Sequence, residues 1–155
     1  MPTITCGNLI VNHNTKHMIT TLTHMNVFVL NQDSAYEFYT KKLGFKVIVD
    51  VPMGNGQRWL TVAPPEQPGL EINLTPVAEG HWYGKEAAES LRALIKAGTF
   101  GCGVFTCNDV YATYEELKAK GVEFTKAPKK EFYGTEALFK DDSGNWFSLA
   151  QLIKN

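Results

Sequence analysis

The chain has 155 residues, of which 44% are hydrophobic and 20% charged. Those are the proportions of one ordinary folded domain or two very small ones, and they exclude a disordered or fibrous polymer. Fifteen Lys and Arg against sixteen Asp and Glu leave a formal charge of -1, so no global field draws in nucleic acid or an acidic membrane surface. The longest apolar stretches, such as residues 25–30, are broken by polar residues like Asn26 and fall far short of the ~20 residues that cross a bilayer. Three cysteines, Cys6, Cys102 and Cys107, are odd in number and form no C-x-x-C pair. That argues against a disulfide framework or structural zinc and favours a reducing, cytoplasmic setting. The first residues show neither a basic leader nor a sustained apolar segment, so residues 1–17 read as a tail and the folded part as 18–151.

In chain order, residues 23–30 alternate as a strand, and 33–42 carry Ala35, Phe38, Tyr39 and Leu43 at helical spacing up to the stop signal Gly44. A second strand over 45–52 ends in the turn signal Gly54-Asn-Gly56. Residues 58–62 and 70–75 alternate as two more strands, separated by the breaker run Pro64-Pro-Glu-Gln-Pro-Gly69. The order is βαβββ. Residues 86–96 place Ala88, Leu91, Leu94 and Ile95 on one face of an amphipathic linker helix.

The second half repeats the first. Residues 101–107 read as a strand, 109–120 as a helix stopped by Gly121, and 122–125 as a short strand. Residues 136–140 and 146–150 then form strands joined by the Asp142-Ser-Gly-Asn145 turn. Residues 126–134 read as a flexible loop with solvated lysines. Gly44 aligns with Gly121, Ile72-Asn-Leu74 with Phe147-Ser-Leu149, and His24 with Cys102, at offsets of 77, 75 and 78. One unit is used twice, as module one (18–76) and module two (100–151), joined by a linker with its helix (77–99).

A doubled βαβββ unit, with Tyr36-x-Phe-Tyr-x-x-x-Leu-Gly-Phe45 after the first strand and Asp142-Ser-Gly-Asn-Trp-Phe147 opening the last, resembles the vicinal oxygen chelate superfamily. That group includes glyoxalase I, bleomycin-resistance proteins, fosfomycin-resistance enzymes and extradiol dioxygenases. The resemblance implies an α+β fold: two tandem βαβββ modules forming curved mixed sheets around a cup, helices outside. It also implies pairing of two chains as a homodimer. It leaves chemistry open, since such folds host lyases, isomerases, dioxygenases and metal-free binding proteins.

Strand alternation sorts residues by face. His24, Asn26 and Phe28 share one side of the first strand, and Glu71, Asn73 and Thr75 one side of the fourth. Cys102, Val104 and Thr106 share a face on the fifth, which would put Cys102 and Cys107 on opposite faces; on the last, Trp146, Ser148 and Ala150 go together. The polar sets should line the cup. Metal-dependent members supply a His, Glu or Gln from each of four strands, and the resemblance implies that His24, Asn73, Cys102 and Ser148 stand at those positions. Only His24 is a strong ligand for a hard divalent ion, so no metal is favoured. His24 reads more simply as a histidine bonded to a neighbouring hydroxyl, and Cys102 as a small apolar filler. Glu71 reads as a carboxylate paired with Arg58 or Lys140, or, if buried unpaired, as a candidate catalytic base.

The aromatic residues Trp59, Trp146, Phe28, Phe132 and Tyr133 should border the cup and offer flat apolar surface with a polar edge, with Trp59 and Trp146 foremost. His81 lies in the linker, where it could reach the cup mouth. The leading expectation is a metal-free protein that sequesters a partly aromatic or amphipathic small molecule through His24, Asn26, Phe28, Trp59, Glu71, Asn73, Cys102, Thr106, Phe132, Tyr133, Trp146 and Ser148. The alternative is a glyoxalase-like lyase or isomerase, or a dioxygenase-like enzyme, holding a divalent metal ion (Zn, Ni, Mg, Mn or Fe) on His24 and Glu71. A sensing or partner-binding module without turnover is the third. Neither nucleic acid nor a membrane is expected as partner.

Overall fold

A computed structural model describes residues 19–153 other than Asn55 and His81. The tail and His81 therefore lie outside the described residues. Module one runs β1 (His24–Val29), α1 (Gln32–Glu37), a π-helical turn (Phe38–Lys42), β2 (Lys46–Gly54), β3 (Gln57–Ala63) and β4 (Glu71–Pro76). After the linker helix α2 (Lys85–Lys96) come β5 (Gly101–Thr106), α3 (Val110–Ala119), β6 (Glu123–Glu131), β7 (Gly134–Lys140) and β8 (Trp146–Leu152). Each module folds into a four-stranded mixed sheet, β1-β4-β3-β2 and β5-β8-β7-β6, in which the first and last strands pair in parallel. The doubled βαβββ α+β architecture expected from the repeat is the one observed.

The first helix of each module, α1 and α3, starts where a side chain satisfies its free N–H groups. Asn31 accepts from Asp33 and Ser34 backbone N–H at 2.8 and 2.9 Å, and Asp109 accepts from Ala112 N–H at 2.9 Å. Both helical segments stop at a left-handed glycine, Gly44 (φ +74°) and Gly121 (φ +78°). The expected single helix over 33–42 is instead α1 followed by the wider π turn, closed by Leu43 N–H to Phe38 C=O at 3.2 Å. Both Phe38 and Tyr39 are buried in this turn. The strand expected to end at Thr125 continues to Glu131, with two register shifts against β7. The loop expected over 126–134 is thus mostly sheet.

One core lies between the helix-covered faces of both sheets. Val27 and Val29 of β1, Leu60 and Val62 of β3, Val110 of α3 and Phe139 and Phe147 of module two belong to it. Burying each such side chain is worth about 1.5–3 kcal/mol. The modules are locked by the 141–145 turn. The buried Asp141 carboxylate accepts backbone N–H bonds from Ser143, Gly144 and Asn145 at 2.9–3.0 Å, the Asn145 amide at 2.9 Å and the Tyr39 hydroxyl at 2.9 Å. From the same turn Ser143 Oγ accepts from Leu30 N–H at 2.9 Å, Asn145 Nδ2 donates to Phe28 C=O at 2.8 Å, and Asp142 accepts from Ser34 at 2.5 Å. Burial pushes the Asp141 carboxyl up despite these donors, and burial and the Asp141 charge together push the Tyr39 phenol well up. Tyr39→Phe removes the one phenolic donor to a buried carboxylate, and should lower the urea-unfolding free energy by about 1–3 kcal/mol without changing the far-UV circular dichroism.

Candidate functional site

The helix-free sheet faces carry the polar residues that strand alternation singled out. In module one the parallel pairing sets His24 beside Glu71 and Asn26 beside Asn73. His24 Nδ1 is 3.0 Å from Thr23 Oγ1, and Nε2 is 3.5 Å from Glu71 Oε2. Glu71 also accepts the Thr61 hydroxyl at 2.6 Å. Its expected partners are committed elsewhere: Arg58 to Asp33 and Asp50, and Lys140 to Glu123. Asn73 donates to Asn26 Oδ1 at 3.1 Å, and Thr75 to the same oxygen at 3.0 Å. The Trp59 ring lies beside His24, centroids 6.2 Å apart, and the exposed Val51, whose register partner is Trp59, continues the apolar side of the face.

Module two builds a second polar cluster on its own open face. Ser148 is buried and donates to Glu136 Oε1 at 2.5 Å, and Lys126 bridges Glu136 (3.1 Å) and Glu131 (2.9 Å). Tyr133 adds a hydroxyl bond to Glu136, whose carboxyl is held below the ordinary carboxylate range by Ser148 foremost, then Lys126 and Tyr133, against the opposing effect of burial. Lys126 is therefore a bound cation in place of the solvated loop lysine the sequence suggested. Trp146 lies over Gly101, where a side chain of any size would collide with its indole, and its Nε1 donates to Thr99 C=O at 3.4 Å. Phe132, 92% exposed, stands edge-on to Tyr133 at the β6–β7 turn.

Three expected site residues lie elsewhere. Cys102 does not share the open face with Val104: β5 pairs Gly101 with Trp146 but Gly103 with Phe147, so Cys102 is the extra residue of a bulge. It packs against the core on the same side as Phe105 and Cys107, which also corrects the expectation of opposite faces for the two cysteines. Burial, with the Asp141 charge, pushes its thiol up to about 12, and an un-ionised thiol is a poor metal ligand or nucleophile. Phe28 is covered by the linker: it meets Tyr83 edge-on at 5.6 Å and packs with Val77, Ala88 and Ile95. Thr106, at the end of β5, borders a crevice between the modules.

The four strand positions that the sequence resemblance marked as candidate ligand positions, His24, Asn73, Cys102 and Ser148, thus carry an imidazole, a hydrogen-bonded amide, a thiol on the core side and a hydrogen-bonded hydroxyl. Among the described residues no three His, Cys, Asp or Glu side chains converge as a cation site. His24 and Glu71 supply two donors, and the set does not fit a hard divalent ion. Sequence reading missed Thr61, Lys126, Glu131, Glu136 and Tyr83. Thr61 and Glu136 were legible as same-face neighbours of Glu71 and Ser148 once β3 and β7 were placed; Lys126 and Glu131 were hidden by the loop reading of 126–134.

Residues 21–149 match the family model described as Glyoxalase/Bleomycin resistance protein/Dioxygenase superfamily. The chain is 37% identical over 134 residues, 86% of its length and all of the relative's, to the uncharacterized protein YetH of Bacillus subtilis (strain 168). The crystal structure of UcmS2 superposes with a TM-score of 0.80 at 47% identity, covering 86% of this chain and 98% of that one. TnmS3, an antibiotic binding protein from Streptomyces sp. CB03234, superposes at 0.69 with 27% identity over 88% and 99% of the two chains. No described helix is long and apolar enough to cross a membrane.

The depressed Glu136 carboxyl predicts a pH effect of definite sign. A carboxyl whose folded-state value lies below its unfolded one adds stability above the unfolded value and loses it as pH falls through the folded one. Glu136→Gln should therefore lower the melting temperature at neutral pH and flatten its fall towards about pH 3, with the two curves converging at the acid end.

Proposed function

The chain belongs to the glyoxalase/bleomycin resistance protein/dioxygenase superfamily, and on that footing we propose that it is a metal-free binding protein that sequesters a small, partly aromatic or amphipathic molecule against its open sheet faces. One observation carries the reading: the donor positions of the fold are occupied by groups already bonded to one another, Asn73 to Asn26 and Ser148 to Glu136. Trp59, Val51 and the exposed Phe132 give the same faces flat apolar surface. Polar groups fixed among such surface suit orientation of a largely apolar ligand. The similarity to an antibiotic binding protein supports a ligand of that class.

The untagged protein should contain no stoichiometric divalent metal by elemental analysis, and chelator should leave its melting temperature unchanged. Bound metal that chelators remove with loss of stability would overturn the reading. The 3.5 Å approach of His24 to Glu71 favours a second reading, a glyoxalase-like lyase or isomerase with a metal on those two side chains. That reading requires His24→Ala and Glu71→Gln each to abolish metal binding.

Exposed apolar side chains stand on both open faces, Val51 beside Trp59 in module one and Val104 beside Ser148 in module two. Such surface suits a second copy of the chain closing the binding sites, as a homodimer. Sedimentation at micromolar concentration should give twice the 17.3 kDa chain mass; a monomer mass would contradict the pairing.

A further inference from the structure

The two modules repeat in sequence, but their reciprocal contacts do not. In module two the 141–145 turn plugs the gap beside module one through Tyr39, Leu30 and Ser34. Pro64 directly follows β3 as Asp141 directly follows β7, and Glu116 stands in the place of Tyr39 at the offset of 77 that relates the helix-stop glycines. Pro64 has neither a carboxylate nor an N–H to donate, and Glu116 turns to Lys120 on its own helix, 2.6 Å away. Among the described residues no hydrogen bond joins the 64–70 loop to module two; its backbone bonds run within itself, Gln67 N–H to Pro64 C=O and Leu70 N–H to Gln67 C=O. The plug is missing on this side, and a gap remains.

That gap is a crevice of about 970 Å³ running from Pro64 and Glu66 to Asp109 and Ile153, with an inner chamber of about 260 Å³. Leu43, Phe45, Phe105, Leu117, Phe139 and Leu149 wall the chamber. It is a half-open recess with more room than the ~150 Å³ enclosed apolar cavity that takes up benzene in a well-studied case. Its rim charges are already engaged: Lys120 with Glu116, Lys42 with Gly121 C=O at 2.9 Å and the Phe38 ring, and Asp109 with the α3 N-terminus. Glu66 adds an acidic group at the mouth. An anion gains nothing there, while an uncharged aromatic body replaces water against aromatic and aliphatic walls.

We propose that the inner chamber of the inter-module crevice, walled by core-side residues such as Phe105 and Phe139, is a second binding site for a compact uncharged aromatic molecule of one or two fused rings. Titration of the whole protein with indole, followed by methyl NMR, tests it. Saturable shifts are expected at Leu43, Leu117 and Leu149, unchanged in the sheet-face variant Trp59→Ala. Thr113→Phe, which fills the chamber from the first turn of α3, should weaken them by about tenfold or more. A crystal pressurised with xenon should show the atom in the chamber without any dependence on a variant's folding. Absence of saturable shifts together with no xenon, or shifts confined to Val49 and Val51, would overturn the site. So would shifts that follow protein concentration in place of indole, since these would mean that a second copy covers the crevice.

Discussion

A single buried carboxylate holds the two halves of this molecule in register. Asp141 is removed from water, which disfavours its charge, and it is tolerated because three backbone N–H groups, an amide and a phenol converge on it. The same carboxylate closes the β7–β8 turn and, through Tyr39, reaches the π turn of module one. Tyr39 reaches that oxygen from within the widened turn over Phe38–Lys42. Its charge also raises the Tyr39 phenol and the Cys102 thiol, so the interior around it stays un-ionised apart from the carboxylate itself. The two modules are thereby tied into one hydrophobic core to which both contribute.

The open sheet faces share a theme that neither module shows alone. On each, a carboxylate accepts a hydroxyl from a neighbouring strand and faces a nitrogen: Glu71 with Thr61 and His24, Glu136 with Ser148 and Lys126. Such charge-assisted bonds fix the orientation of acidic groups that would otherwise sample several rotamers. These faces therefore hold prearranged acceptors, set beside Trp59 and Val51 in module one and beside Tyr133 in module two. On the proposed reading such an arrangement serves to orient a guest more readily than to activate one.

Much of this was legible in the sequence wherever it depended on period and local chemistry. Gly44 and Gly121 marked both helix ends, the two halves aligned at nearly constant offset, and alternation put His24, Asn26, Glu71 and Asn73 on one face. What escaped depended on contacts made across the fold. The run 126–134, rich in lysine with Pro128, reads as a loop by composition, yet Lys126 is held in β6 by two glutamates that only pairing brings near. Phe28 obeys alternation and still misses the open face, because the linker that covers it is remote in sequence. The π turn carries no propensity signal, and the Asp141 carboxylate that its Tyr39 reaches lies in the other module.

The bulge at Cys102 carries a consequence for how such a fold changes function. Strand period is two, so one extra residue turns a side chain over while leaving the strands on either side paired. A substitution such as Cys102→His would deliver an imidazole into the interior beside Asp141 and Tyr39. Which face of β5 position 102 presents is thus set by the length of the strand. A single-codon insertion or deletion moves that side chain between interior and open face, an event that comparison of aligned side chains alone would not register.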